Sequence, residues 1–278
     1  MKNKGTPTLL TEKILKLMKA NNGDWQMPWR NKKFITCKGH YLKGNNVVSL
    51  AALSDFKRTV WGTYDQWELL GCQVQAKSKA VKLTVYKGLD KDGKHSFGKY
   101  IAFNIEQCEG DTAKFDGFDN VDINNSSKCK ETDYLVGKLN AVVKTHPNKA
   151  AYSPSLDEIY MPDFKQFESS THYYSTLLHE QGHRTGHKSR LNRELKGKFG
   201  DKKYAMEELI AELTSCFMCI ELDIVSEPRK DHIQYLNNWI DLLKDDKRAF
   251  NMAVGQAQKA TNYMLEQMGL EVQEVNNG

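Results

Sequence analysis

The sequence predicts an α+β fold in which a mixed amino-terminal domain is followed by a mainly helical domain with a small sheet. Between residues 34 and 103, short β-like runs occur with one helix among them. After residue 170, long stretches repeat apolar residues every three or four positions, which is typical of packed helices. A chain of 278 residues is long enough for one large domain or two of ordinary size.

The first half is predicted to begin with a helix over Thr8–Ala20, which ends at Asn-Asn-Gly. The β-like runs and the intervening helix then follow at Gly39–Tyr41, Asn46–Val48, Tyr64–Leu70 (helix, closed by Gly71), Lys82–Tyr86 and Tyr100–Asn104. The stretch Cys108–Thr132 is rich in Gly, Asp, Asn, Ser and Lys and has no period, so it is predicted to be the linker. The predicted domains are therefore residues 1–125 and 133–278.

The second half is predicted to start with a helix over Asp133–Lys144 and an extended pair over Ala150–Met161. The later helices are expected at Thr171–Gly186, Tyr204–Leu222, Asp231–Asp245 and Lys247–Met268. No long apolar run and no signal-peptide core occur, so we expect a cytoplasmic protein without a membrane partner. Cys216 and Cys219 lie in an apolar helical stretch and are expected to pack in the core.

The net charge of +5 is distributed unevenly along the chain. Residues 1–150 carry 25 Lys and Arg against 15 Asp and Glu, whereas residues 151–278 carry 15 against 20. A basic excess of this kind attracts polyanions, although Lys-rich surfaces also serve solubility alone. Charge by itself therefore does not identify the partner.

Residues 179–183 read His-Glu-Gln-Gly-His, the spacing of zinc peptidases. Two histidines four positions apart on a helix project from one face and can bind one metal ion, and the intervening Glu180 lies beside that ion. When zinc lowers the pKa of a bound water toward about 7, a carboxylate in this position acts as general base. The motif predicts a Zn²⁺-dependent metallopeptidase site, with Mn²⁺ as the alternative metal.

A third protein ligand is needed, and the sequence offers more than one. A metzincin-type continuation fails because Ser189 stands where a histidine is required, and His187 could reach the metal only on an unbroken helix. The remaining candidates are the carboxylates between Ala205 and Leu213, which are costly on an apolar helix unless paired or bound to a cation. The text Glu208-Leu-Ile-Ala-Glu212 resembles a gluzincin element, which implies that Glu208 binds the metal and Glu212 orients a ligand histidine. Glu207 is expected to be a solvated helix charge.

Several further short sequence motifs are similar to those of one protein family. They are Thr63-Tyr-Asp-Gln-Trp67, Leu70-Gly-Cys-Gln-Val74, Phe103-Asn-Ile-Glu-Gln-Cys-Glu-Gly110, Asp157-Glu-Ile-Tyr-Met-Pro162, Tyr174-Ser-Thr-Leu-Leu-His-Glu-Gln-Gly-His183 and Tyr204-Ala-Met-Glu-Glu-Leu-Ile-Ala-Glu-Leu213. Together they resemble the ArdC antirestriction family and, in the first half, the related plasmid TraC primases.

The resemblance implies a protein of a conjugative plasmid or mobile element that binds single-stranded DNA through its first domain. It implies a zincin-like second domain in which His179, His183 and Glu208 bind the metal and Glu180 is the catalytic carboxylate. It further implies that the protein protects incoming DNA from restriction, with a host restriction enzyme or another host protein as target.

Binding single strands requires a basic groove and aromatic faces on which bases stack. The first half supplies candidates of both kinds, and Trp25 and Trp29 are expected to be exposed because they follow a helix stop and lie beside the basic stretch Arg30–Lys33. The predicted DNA-binding residues are Trp25, Trp29, Arg30, Lys32, Lys33, Tyr41, Lys43, Trp61, Lys77 and Lys79.

Two other functions fit the same features. One is a cytosolic zinc metallopeptidase whose basic domain recognises an acidic protein substrate, and the other is a DNA-binding module with a relic metal site. Salt-dependent binding of single-stranded DNA would argue against the first alternative. Stoichiometric metal together with peptide cleavage that requires Glu180 would argue against the second.

Overall fold

A computed structural model describes residues 6–20, 27–89, 91–92, 95–118, 129–195, 201–226 and 232–272. The contacts divide the chain into two units. The helical unit is formed by the described residues of 1–31 and 123–272, and the sheet unit by those of 32–122. In the described part of the chain, no helix is both long and apolar enough to cross a bilayer.

The elements of the helical unit lie on both sides of the sheet unit in the sequence. They are α1 (Thr6–Ala20), α4 (Cys129–Gly137), β7 (Val142–Thr145), β8 (Ala151–Ser153), β9 (Glu158–Met161), α5 (Ser170–Thr185), α6 (Lys202–Glu221), α7 (His232–Asp245) and α8 (Ala249–Met268). The sheet unit contains β1 (Ile35–Thr36), α2 (Asn45–Leu53), β2 (Val60–Gly62), α3 (Tyr64–Leu69), β3 (Cys72–Val74), β4 (Val81–Leu89), β5 (His95–Asn104) and β6 (Cys108–Gly110). The predicted α+β class is thereby confirmed.

The first helix packs with the helical unit, whereas the predicted division placed it in domain 1–125. Its apolar side, with Leu10, Ile14 and Met18, is buried. The hydroxyl of Thr11 donates a hydrogen bond of 2.8 Å to the carbonyl of Lys247, between α7 and α8. The chain after this helix continues the contact, because the Trp29 ring lies 5.4 Å from the Phe250 ring. Burial of this apolar face explains the placement.

The small sheet of the helical unit has the order β7-β9-β8, with β7 parallel and β8 antiparallel to β9. Its central strand contributes Ile159 and Met161 to a core that includes Leu177 and Leu178 of α5 and Met218 of α6. The predicted helix over Asp133–Lys144 is shorter than expected, because α4 ends at Gly137 and residues 142–145 form β7 instead. β-branched Val142 and Val143 suit a strand.

The sheet unit contains a four-stranded sheet of order β1-β2-β5-β4 and a separate antiparallel pair, β3 and β6. The segment around Trp67 has a structural role. Thr63 caps α3 and Gln66 completes a capping box, while the Trp67 indole donates a 3.0 Å hydrogen bond to the carbonyl of Phe103. This arrangement fixes α3 against the sheet.

Two sequence predictions in this unit need correction. Asn46–Val48, predicted as β-like because of its valines, lies in α2, where Asn46 donates to and accepts from the backbone of Thr84 at 2.8 Å. Asn46 thus satisfies the N–H and carbonyl groups of Thr84 on the edge strand β4. The β preference of the two valines is overridden by their burial in this tertiary environment. The predicted linker Cys108–Thr132 begins with β6 and a 3₁₀ turn over Ala113–Phe118, and residues 119–128 lie outside the described part of the chain.

Candidate functional site

The predicted metal helix is α5, which Ser169 caps by accepting a 2.9 Å hydrogen bond from the His172 backbone. His179 and His183 lie one turn apart, with their ring centroids separated by 4.8 Å. Helix α6 approaches α5 closely at Gly182, where a Cβ atom would lie 3.2 Å from the Ala211 Cα. The absence of a side chain at Gly182 therefore lets the carboxylates of α6 reach the histidine pair.

Glu208 faces both histidines. Its Oε2 atom lies 3.5 Å from His179 Nε2, and its Oε1 atom lies 3.5 Å from His183 Nε2. In the described part of the chain these three residues form a group whose ligand atoms all lie within 4.8 Å of one another. Two imidazole nitrogens and one carboxylate are the donor set of a His₂Glu catalytic zinc site.

The other ring nitrogen of each histidine contacts a second carboxylate. His179 Nδ1 lies 3.2 Å from Glu212 Oε2. The gluzincin resemblance implied that Glu212 orients a ligand histidine without indicating which one. The opposite oxygen of Glu212 accepts a 2.5 Å hydrogen bond from Arg30 Nη2, and Arg30 Nη1 donates to the Ser226 hydroxyl at 2.7 Å. Carboxylates in this outer position fix the orientation of a metal-binding histidine.

Glu207 is buried, which corrects the prediction of a solvated charge. Its Oε1 atom lies 3.1 Å from His183 Nδ1, so it stands to His183 as Glu212 stands to His179. Arg193 holds this carboxylate in a bidentate pair, with Nε 3.0 Å from Oε2 and Nη2 2.8 Å from Oε1. Each histidine therefore contacts a buried carboxylate, and each of these carboxylates is in turn paired with an arginine.

The charges of this cluster suit a cation. Burial alone would lower the pKa of His183, but the carboxylates of Glu208 and Glu207 raise it to about 10. Burial alone would raise the pKa of Glu208, yet the two histidines hold it well below its usual range. Among the described residues, the Glu208 Oε2 atom is buried without a hydrogen-bond partner. The donor set and this orphaned oxygen fit a bound divalent metal.

The remaining residues of the motif region take the following positions. Glu180 is buried on α5 directly after His179. His187 lies beyond the end of α5 and contacts the Ser189 hydroxyl at 2.8 Å, so it is not part of the group around Glu208. Cys216 and Cys219 are free thiols in the core, and burial raises their pKa values to about 11 and about 12.

Three of the predicted DNA-binding residues are buried rather than exposed. Trp29 packs against Phe250 within the helical unit, and Arg30 is held by Glu212. Trp61 is buried in β2 of the sheet unit. A base cannot stack on a fully covered ring, so Trp29 and Trp61 are unsuited to contact DNA. The Arg30 guanidinium is engaged by Glu212 rather than presented to a phosphate. Trp25 lies outside the described residues.

The other predicted DNA-binding residues lie at the surface of the sheet unit. Lys32, Lys77 and Lys79 are exposed, Lys33 and Lys43 are half-buried, and Tyr41 is exposed. The Lys33 ammonium lies 5.3 Å from the centre of the Tyr41 ring. Residues 32–122 carry 14 basic and 11 acidic side chains, and 13 of the basic ones precede residue 101. The positive charge is therefore confined to the first part of this unit.

The comparisons with known proteins cover both halves of the chain. Residues 6–118 match the N-terminal domain of the anti-restriction factor ArdC, and residues 130–256 match a zincin-like metallopeptidase family. An uncharacterised Sinorhizobium fredii protein, y4eC, is 30% identical over 92% of this chain and 90% of its own length. The DNA primase TraC of Escherichia coli is 29% identical over 95% of this chain, which spans 27% of that protein.

Two solved structures are also similar. Both are of the antirestriction protein ArdC from plasmid R388, at 30% sequence identity and with all of that chain covered. The metal-free structure has a TM-score of 0.77 over 96% of this chain, and the Mn(II)-bound structure has 0.78 over 99%.

Proposed function

Because the chain belongs to the ArdC antirestriction family, we propose that it protects incoming DNA from host restriction by combining single-stranded DNA binding with a metallopeptidase site. The observation that carries the second half of this proposal is the convergence of His179, His183 and Glu208. The similarity to ArdC and to a DNA primase supports the first half.

In this proposal the residues of the helical unit have distinct roles in peptide hydrolysis. His179, His183 and Glu208 would hold the metal, and Glu212 and Glu207 would orient the two imidazoles. A divalent ion in this position supplies Lewis-acid polarisation of a carbonyl. The carboxylate of Glu180 accepts a proton from the attacking water and passes it to the leaving amine. Zinc is the metal we expect from the donor set, with Mn²⁺ as the alternative.

Metal binding is tested by elemental analysis and by thermal denaturation with and without EDTA. We expect one divalent ion per chain in the unaltered protein and less than a tenth of that in Glu208→Gln or His183→Ala. His187→Ala is the matched histidine control and should retain the metal, because His187 lies outside the metal-binding group. Full retention of metal by Glu208→Gln would contradict the ligand assignment.

Protection is tested by transferring unmodified DNA into a restricting recipient that makes the protein. Glu180→Gln keeps the ligands and removes the base, so loss of protection in this variant indicates that cleavage is required. If Glu180→Gln and Glu208→Gln both protect fully, neither catalysis nor metal contributes to antirestriction.

Binding to single-stranded DNA is measured by fluorescence polarisation over a range of salt concentrations. Affinity should fall as salt rises, because phosphate contacts release counterions. If no DNA binding occurs while an acidic protein is cleaved, the chain is instead a metallopeptidase whose basic region recognises its protein substrate.

A further inference from the structure

The long hairpin of the sheet unit presents two different faces. Pairing of β4 with β5 places three residue pairs on one face, because side chains alternate along a strand. We call this the hairpin face; its pairs are Lys82 with Ile101, Thr84 with Lys99 and Tyr86 with Phe97. The intervening pairs, Val81 with Ala102, Leu83 with Tyr100 and Val85 with Gly98, lie on the opposite face, which is largely covered.

The hairpin face exposes large apolar groups. Phe97 is 62% exposed and Ile101 is 47% exposed. The rings of Tyr86 and Phe97 lie 5.6 Å apart and are tilted by 54°. Tyr86 is half-buried beside the exposed Phe97. The outer face of an antiparallel sheet normally carries polar side chains, so exposed Phe97 and Ile101 on it indicate an interaction site.

The same face is basic. Lys82 and Lys99 are exposed, and none of the six side chains is acidic. Phe97 and Lys99 are separated by about 6.6 Å along β5, so an aromatic ring and a cation follow each other along the strand. Lysine is depleted from the centres of protein–protein interfaces, whereas single-strand binding surfaces combine lysine with aromatic rings.

We propose that the hairpin face is the surface on which single-stranded DNA stacks its bases. Phe97 and Tyr86 provide the rings, and Lys82 and Lys99 contact the phosphates. This inference rests on the proposed function and assigns a location to its DNA-binding step. It replaces the buried tryptophans Trp29 and Trp61 with residues that a base can reach.

The test is fluorescence polarisation of the full chain with a fluorescein-labelled oligothymidylate of twenty nucleotides. Phe97→Ala should weaken binding by about 5- to 150-fold, the range that corresponds to the loss of one stacked base. Phe97→Tyr keeps a ring and should bind within about twofold of the unaltered protein. Leu69→Ala is the matched control, because Leu69 is an exposed apolar residue of the same unit on α3 and should leave binding unchanged.

The salt dependence separates the two kinds of contact. Lys99→Gln should reduce the slope of log affinity against log salt by about 0.7, the value for one phosphate contact on a single strand. Phe97→Ala should leave that slope unchanged. If the unaltered protein binds no DNA, the proposed function itself fails. If it binds and both Phe97→Ala and Lys99→Gln bind equally well, the hairpin face is not the DNA surface and would be left for a protein partner.

Discussion

The contact between Arg30 and Glu212 gives the sharpest test of how the metal site is built. Both side chains are 6% exposed, and their charged atoms lie 2.5 Å apart. Arg30→Met keeps much of the buried volume but leaves the Glu212 carboxylate without its cation. Removing one partner of a buried ion pair costs about 3–5 kcal/mol, so the free energy of unfolding should fall by about 3 kcal/mol.

The same substitution should weaken metal binding, because Glu212 also contacts His179 Nδ1. Loss of the outer partner itself lowers metal affinity by about 10- to 100-fold, and this range is the upper bound for Arg30→Met, because Glu212 stays in place. Competition with a metal-binding dye measures this affinity, and urea denaturation of the metal-free protein measures stability. The exposed pair Lys244 and Asp241 provides the control, since Asp241→Asn should cost less than about 1 kcal/mol.

A double-mutant cycle tests whether the loss of stability in Arg30→Met comes from its ion pair with Glu212. Glu212→Gln and Arg30→Met should destabilise the protein much less together than the sum of their separate effects, because the double variant leaves no buried charge unpaired. If the two effects add to within about 0.5 kcal/mol, Arg30 does not act through Glu212 and the reasoning is wrong.

Three further predictions concern other parts of the helical unit. Gly182→Ala should destabilise the protein by about 1–3 kcal/mol in urea, because its Cβ would lie 3.2 Å from the Ala211 Cα, whereas Gly255→Ala meets no atom within 4 Å and should be neutral or stabilising. Arg190 is the main cause that lowers the pKa of Asp157 to about 2, so this carboxylate stabilises the fold above its unfolded pKa of about 3.9 and the contribution disappears as the pH falls through 2. The stability difference between the unaltered protein and Asp157→Asn should therefore be constant from pH 7 to pH 5 and shrink below pH 4, and a constant difference down to pH 2 would contradict the assignment. Cys216 and Cys219 should resist iodoacetamide at pH 8 in the native protein and react after unfolding, as mass spectrometry of the labelled peptides would show.

The metal helix could be predicted because its signal is local. Four-residue spacing places His179 and His183 on one side of a helix whatever surrounds it, and carboxylates on an apolar helix indicate a partner. The prediction of a solvated Glu207 is wrong because its partner, Arg193, lies in the segment between α5 and α6. No spacing rule within α6 indicates that contact.

The exposure of the aromatic residues, in contrast, could not be predicted from the sequence. A sequence lists rings and charges but does not state which rings are covered, and Trp29 was expected at the surface because basic residues follow it. Its ring is covered by Phe250, more than two hundred positions later in the chain. The sequence does not single out Phe97, because its exposure depends on the register of β4 with β5. Burial of this kind is a tertiary property.

The packing of the first helix with the helical unit affects how the chain folds during synthesis. Arg30 and Glu212 are separated by 182 positions, and residues 32–122 form a unit of their own between them. At about 5–20 residues per second, a ribosome needs roughly 10–35 s to make that interval. The sheet unit can therefore fold first. During that time the apolar side of the amino-terminal helix stays exposed, because the helices it packs against have not yet been synthesised. Thr11 and Trp29 acquire their contacts with Lys247 and Phe250 only after that late part of the chain has been synthesised.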